Sequence, residues 1–574
     1  MVDLIETIRD SVIGTEHAVP GPFGPRRVTY ADYTASGRSL AFIEEYIQDV
    51  VLPLYANTHT ESSGTGLQTS KFREEAREII RRCVNGNDDH AVVFVGSGCT
   101  GAIDRIIRVL GLSIPDRLES EYHLSTLIPA DERPVVFIGP FEHHSNELPW
   151  RESIADVIKI GEDTDGHIDQ EQLEAELIKY EHRPLKIGSF SAASNVTGII
   201  SDTAGIAQLL HRYGALSFWD FAAAAPYVAI DMVIEDQPGA HKDAIFISTH
   251  KLIGGPGTPG LLIARKELFQ NAVPGIPGGG TVTFVNPDDH EYIADIEHRE
   301  EGGTPAIVES IRAGLVFQLK EAVGTSRIRD LEHGLIRRAI DSWKKNPNIE
   351  ILGNHDADRL SIVSFVVRHK GQYLHHNFIV ALLNDLFGIQ SRGGCSCAGP
   401  YGHALLGIDM ERSRHLSDEV ALGCEGIKPG WIRVNFNYFF SDAVMEFIID
   451  AVNIVATDGW KLLPWYAFDV NTAGWTHVDG RGESAISLTD IRYETGTMEY
   501  DIKPQIVPER ELTEYLAHAR TLFATIDPAT GPVHDEVNAT ASFEDLRWFL
   551  LPNEVRASHD HANQDPLHQV EALD

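Results

Sequence analysis

Six short apolar runs punctuate residues 90–265: Ala91–Val95, Val135–Ile138, Leu185–Phe190, Ala215–Trp219, Ala244–Thr249 and Gly260–Ala264. Each is followed by a turn of Gly, Ser, His or Asn, and most then run into a helix-length stretch. Strands apolar on both faces are covered on both sides, so this grammar predicts a largely parallel α/β sheet between helices. Ile103, Ile106, Ile107 and Leu110 fall at i, i+3, i+4 and i+7, which predicts an amphipathic helix after the first run. Beyond about residue 310 the pattern changes. A helical stretch leads to a strand over Leu360–Val367, another helix, a Gly/Cys-rich loop at 393–402 and a strand over Trp431–Phe436, as in a smaller α+β domain. From about 456 onward Trp460, Trp465 and Trp475 stand among glycines, with no chemistry attached to them.

A chain of 574 residues suggests about three domains at roughly 100–200 residues each. The expected division is an N-terminal segment 1–60 packing on the active site and small domain, a large domain 61–310, a small domain 311–455 and a C-terminal extension 456–574. With 84 acidic against 48 basic side chains the net charge is −36, which disfavours nucleic acid and anionic membranes as partners. Five cysteines make no disulfide framework. No basic and apolar leader opens the sequence, and no run approaches about 18 apolar residues, so a reduced, cytoplasmic protein is expected. His559-Asp560-His561 lies in a polar tail and reads as solvated; no metal site is expected.

In parallel sheets, ligands gather beyond the carboxyl ends of the strands. There the sequence places, in order, Gly96-Ser97-Gly98-Cys99-Thr100, then Glu142-His143-His144, Asn195, Asp220, and Ser248-Thr249-His250-Lys251 before a glycine-rich turn. A small-residue turn opening a helix suits a phosphate. A carboxylate amid Phe221–Pro226 calls for a cationic partner such as a protonated ring nitrogen. A lysine between a strand end and a glycine turn suits a Schiff base.

That order resembles the class V aminotransferase-like family of fold type I pyridoxal-phosphate enzymes, and within it the cysteine desulfurase/selenocysteine lyase group. The resemblance spans about residues 25–455 and is most specific at Ser248–Leu252 and at Glu301-Gly302-Gly303-Thr304-Pro305. It implies a large parallel-sheet domain with a smaller α+β domain and pyridoxal 5'-phosphate as cofactor. By the same resemblance Lys251 carries the cofactor as a Schiff base, Asp220 pairs with its ring nitrogen, His143 stacks on the ring and Asn195 contacts the ring oxygen or substrate. Thr100, the backbone at Cys99, Ser248 and His250 would hold the phosphate. Gly279, Gly280 and Thr304 would reach the phosphate of a second subunit, implying a homodimer. Arg433 would grip the carboxylate of a small amino-acid substrate, with His59 a further pocket residue. Two positions depart from the family pattern: Ala223 where a glutamine is usual, and Cys99 where a threonine is.

Ser391–Pro400 (SRGGCSCAGP) resembles the family's Arg-x-Gly-x-x-Cys loop, and even more the Arg-x-Gly-Cys-x-Cys loop of the desulfurase part of molybdenum cofactor sulfurase. Aligned on Arg392 and Gly394, the nucleophile is Cys397 and Cys395 is a spare thiol. If the segment is extended, the two sulfurs point to opposite sides. Cys83 and Cys424 read as inert. The implied activity is removal of sulfur from L-cysteine to give alanine and an enzyme persulfide, passed on to an acceptor protein. Another lyase, epimerase or aminotransferase on the same fold, and a sulfur-relay or scaffold protein, stand as rival readings.

Overall fold

The apolar runs become strands because both of their faces are covered. A computed structural model describes residues 3–58, 60, 62–480, 486–500, 505–534, 537 and 539–557. His59 and the tail bearing His559 and His561 lie outside the described residues. β1 (His90–Val95), β2 (Val135–Ile138), β3 (Asp156–Lys159), β4 (Lys186–Ser191), β5 (Leu216–Asp220), β6 (Ala244–Ser248) and β7 (Gly260–Arg265) form one sheet in the order β1-β7-β6-β5-β4-β2-β3. The pairs from β3 through β6 are parallel. β7 runs antiparallel to both β6 and β1. Its link from β6 is a glycine-rich turn without the helical crossover that a parallel return needs. β3, half-buried at the far edge, has no continuous apolar run to announce it.

Helices cover the sheet. α1 (Gly64–Cys83) packs along α4 (Ile307–Val323), and Gly314 makes this possible: a Cβ there would lie 2.6 Å from the Ala76 Cβ. α2 (Gly98–Val109) buries Ile103, Ile106 and Ile107 as its periodicity predicts, with Leu110 just past its end. α3 (His144–Arg151) follows β2.

β1 is an edge strand, and unpaired edges invite association. Here carboxylates take the place of an eighth strand. Glu297 Oε1 accepts from the Val92 amide (2.7 Å) and Glu301 Oε1 from the Phe94 amide (2.7 Å), while Arg77 donates to the Val92 carbonyl. Glu301 is itself held by Arg73 and by Arg77 (3.0 Å). Burial opposes its ionisation, but the two guanidinium groups outweigh that and keep its pKa below the ordinary value. The acidic residue of the Glu-Gly-Gly-Thr-Pro motif is thus a structural clamp on α1 and β1. Glu301→Ala takes from the buried Arg73 and Arg77 their shared buried carboxylate, leaving mainly the more exposed Glu74, and about 3–5 kcal/mol of stability is lost. Urea unfolding checks this; a midpoint equal to wild type refutes the clamp.

The second sheet is antiparallel: β8 (Ile349–Ile351), β9 (Ile362–His369), β10 (Arg392–Gly394) and β11 (Trp431–Asn435), in the order β8-β9-β11-β10, with Gln372–Leu374 paired beside β9. α5 (Thr325–Trp343), α6 (His376–Phe387) and α7 (Asp442–Asp458) pack around it. The C-terminal region adds α8 (Leu512–Thr525) and a hairpin carrying Trp475, and shares one core with this sheet, from Trp343 and Phe365 to Trp475 and Phe549. Tyr466 of that region donates to the buried Asp385 (2.9 Å). α4 runs across position 310 and α7 across position 455. Among the described residues no helix is long and apolar enough to cross a membrane.

Candidate active site

The carboxyl ends of β4, β5 and β6, the start of α2 and β10–β11 enclose a cavity of about 450 Å³. Its lining includes His143, Asn195, Asp220, Ser248, Lys251 and Arg433, residues spread over 291 positions of chain.

Asp220 is the last residue of β5 and is buried; its carboxylate accepts from the Ala222 amide (2.7 Å). Burial raises its pKa, against the pull of that amide, Lys251 and the Cys99 thiol. Lys251 closes the turn after β6. Burial lowers the pKa of its amine, against the attraction of the Asp220 carboxylate, a shift toward the neutral, nucleophilic form. His143 caps α3: its Nδ1 accepts from the Ser145 amide (3.1 Å), so the neutral ring carries its proton on Nε2. Burial, with Lys251 adding to it, lowers its pKa to about 3. His143 is therefore a neutral ring at working pH.

At the start of α2 the Cys99 amide donates to Ser248 Oγ (2.9 Å). Thr100 Oγ1 meets Ser145 Oγ at 2.7 Å. The Cys99 thiol is hydrogen-bonded to Asp220, and burial holds its pKa well above the ordinary value. It is a protonated donor to Asp220. The His250 ring rests on Ser36 Oγ (3.3 Å), and burial, then Lys251, lowers its pKa to about 4. Ala223 lines the cavity and offers no polar atom where the family has glutamine.

At the opposite wall Arg433 donates to the Asn195 carbonyl (3.0 Å) and to Asp32 Oδ1 (2.9 Å), and Arg392 donates from Nε to Asp32 Oδ2 (3.1 Å). Asp32 thereby aligns two guanidinium groups on one side of the cavity. Asp32 was not legible as a site residue, and Arg392 was only a landmark in the cysteine loop. Ser191, another lining residue, was also missed.

The cysteine loop is tied to the site from both ends. Asn195 Nδ2 donates to the Ser396 carbonyl (2.8 Å), the His144 amide to the Cys397 carbonyl (2.8 Å), and the Gly399 amide to His144 Nε2 (3.1 Å). The loop is not extended: Ser396 and Cys397 have φ of 52° and 57°, in the left-handed region. The alternation argument for the two sulfurs therefore does not apply. Ser396 lines the cavity; Cys397 is exposed, within electrostatic range of Arg433, and Cys395 packs on the main core. Burial lifts the Cys83 thiol to about 11, and Cys424 is buried. Gly279, Gly280 and Thr304 are exposed and lie outside this chain's own cavity; Thr304 Oγ1 accepts from Asn57 (3.4 Å).

Away from this cavity, His211, His241 and Asp243 bring their ligand-type atoms within 4.8 Å of one another. Arg265 already supplies a cation there, 3.2 Å from both His241 and Asp243. Burial disfavours the His211 imidazolium, but hydrogen bonds to Asp243 (2.8 Å) and the Gly239 carbonyl (2.6 Å) outweigh it and raise its pKa. A raised folded-state pKa gives stability that is complete below the unfolded value of about 6.5 and is lost as pH rises through the folded value. The stability gap between wild type and His211→Ala is accordingly widest below about pH 6.5 and narrows above it. Thermal unfolding across pH 5.5–9 reads this directly; a gap that widens with pH contradicts it.

The residues present fit pyridoxal phosphate. Asn195 Oδ1 is buried without a partner, Asp220 is a buried carboxylate at a strand end, and Lys251 is an amine whose pKa burial lowers. The model of the class-V aminotransferase family matches residues 29–411. Among curated relatives, a probable cysteine desulfurase from Halalkalibacterium halodurans is 28% identical over 377 residues, 65% of this chain and 84% of that protein. One from Staphylococcus aureus is 27% identical over 402 residues, 69% and 88% of the two chains. The apo structure of the cysteine desulfurase from Thermococcus onnurineus NA1 superposes with a TM-score of 0.63 at 21% identity, covering 80% of this chain and 99% of that one. The cysteine desulfurase CsdA from Escherichia coli gives 0.56 at 22%, covering 74% and 93%. At these identities the structural likeness shows the fold. With the matched span holding Lys251, Asp220 and the cysteine loop, the chain belongs to the class-V aminotransferase family of pyridoxal-phosphate enzymes.

Proposed function

We propose that this protein is a cysteine desulfurase acting in the cavity between Lys251 and Arg433, with Cys397 as the sulfur-accepting thiol. The observation that carries this reading is the cysteine loop hydrogen-bonded through Asn195 and His144 to the wall holding Lys251 and Asp220. Pyridoxal phosphate supplies an aldehyde that takes up an amino group and a ring that withdraws electrons from it. Lys251 would hold it and move the proton at the substrate Cα, with Asp220 placed at the ring nitrogen. His143 would lie against the ring as a neutral imidazole. Ser248, Thr100 and His250 would bear on the phosphate. Arg433 and Arg392, aligned by Asp32, would orient the substrate carboxylate. The Cys397 thiolate attacks the substrate sulfur: the S–S bond forms as the Cβ–S bond breaks. The bonding pair stays with carbon and takes a proton, so cysteine and a thiol become alanine and a persulfide.

The test is product identification. Purified protein given a panel of amino acids should release alanine from L-cysteine, with one persulfide per chain. Release of pyruvate, an epimer or a keto acid instead would establish a different family activity with the cysteine loop incidental.

A second copy of the chain and a sulfur-acceptor protein belong to the same reading. Gly279, Gly280 and Thr304 are exposed beside Asn57, as residues serving a partner's phosphate would be. Sedimentation of the holoprotein should give about twice the chain mass of 63.4 kDa. An active species at the single-chain mass rejects the shared site.

A further inference from the structure

A second cavity, also about 450 Å³, opens between the N-terminal segment, the Phe439–Val444 stretch after β11 and Ile506–Glu509 of the C-terminal region. Two of its three walls lie beyond residue 411, outside the family match.

Its floor holds a buried cation with one distant ion pair and, among the described residues, no hydrogen bond. Arg27 lines the cavity at 7% exposure, and its guanidinium makes no hydrogen bond among the described residues; Nε is buried without a partner. Its ion-pair partner, Glu509, stands 3.9 Å away through Oε2, beyond hydrogen-bond reach, while Oε1 accepts from Ser441 Oγ (2.7 Å). Two residues on, Thr29 Oγ1 is also buried and unpartnered. The other arginines of this wall are spent: Arg9 on the Phe439 carbonyl (2.6 Å), Arg38 on the Ile13 carbonyl (2.6 Å). A buried guanidinium without a hydrogen bond is costly, and an oxyanion in the cavity, with Thr29 beside it, would give Arg27 the close acceptor that Glu509 is too distant to be. Val12, Tyr33, Phe439 and Val444 give the rest of the wall an apolar, partly aromatic surface. Asp10, Glu16 and Glu509 also face the cavity, which suits a single anionic head and repels a polyanion.

We propose that this cavity is a binding site for a small organic molecule with one oxyanion head, carboxylate or phosphate, on an apolar body. Arg27 and Thr29 take the head, and Tyr33 and Phe439 flank the body. Tyr30, which also lines the cavity, donates to the carbonyls of Asp32 and Ser36 (both 3.2 Å), so an occupant lies against the segment that aligns Arg433.

Isothermal titration of the full-length holoprotein in low-chloride buffer tests the site, with phenylacetate, phenyl phosphate and inorganic phosphate as probes. One aromatic probe should bind with a Kd below about 1 mM and inorganic phosphate at least about tenfold more weakly. Which aromatic probe binds distinguishes a carboxylate from a phosphate ligand. Arg27→Met and Ile506→Trp should each weaken that binding at least about tenfold. Ile506 is 53% exposed at the mouth, so its substitution decides the matter if Arg27→Met does not fold. Binding unchanged by Ile506→Trp places the probe in the catalytic cavity and overturns the proposal. So does the absence of binding by both aromatic probes.

Discussion

Lys251→Ala lowers amino-acid turnover by at least about four decades, or about 5.5 kcal/mol at 1.4 kcal/mol per decade. The reason lies in the position of the amine. It is the only lysine in the cavity lining among the described residues, it sits beside the buried Asp220, and burial shifts it toward the neutral form that attacks an aldehyde. None of the other lining side chains can replace it as a primary amine. Borohydride reduction of wild type followed by peptide mapping should place a pyridoxyl group on Lys251. The variant should keep its far-ultraviolet circular dichroism, because Lys251 lines the cavity from a short turn outside the strands. Label on another residue, or turnover within tenfold of wild type, removes Lys251 from the chemistry and the proposed function with it.

Cys397→Ser abolishes alanine release from cysteine, by about three decades or more, while Cys395→Ser stays within about threefold of wild type. Both thiols lie in one loop, but their surroundings differ. Cys397 is exposed, which gives a substrate sulfur access to its thiol. Cys395 packs against the main hydrophobic cluster. The left-handed backbone at Ser396 and Cys397 costs roughly 1–3 kcal/mol per residue and persists because Asn195 and His144 hold the loop's carbonyls. Alanine assays and mass spectrometry of the persulfide separate the two cysteines. A dead Cys395→Ser beside an active Cys397→Ser moves the nucleophile two residues toward the N-terminus.

Much of the large sheet was legible because its strands are buried on both faces. Runs such as Val135–Ile138 and Ala244–Ser248 carry no solvent-facing position, and such a run has few alternatives to a covered strand. The same rule located Lys251, Asp220 and Asn195, since strand ends in such sheets face the ligand. β3 escaped because Asp156–Lys159 is half-exposed and short. The direction of β7 escaped because an apolar run reads alike in both senses.

The sequence by itself determined the order of the chemical groups: a small-residue turn, His143, Asn195, Asp220 and Lys251, each fixed by a local strand-and-turn pattern. Only the tertiary structure decided what neutralises them. Asp32 meets Arg392 across 360 positions of chain, Glu301 meets Arg77 across 224, and Arg27 faces a cavity walled by Ile506 and Glu509. Local patterns arise from backbone periodicity and burial, which act over a few residues. Pairing of charges acts through space between elements that the chain brings together only on folding, so no spacing in the sequence records it.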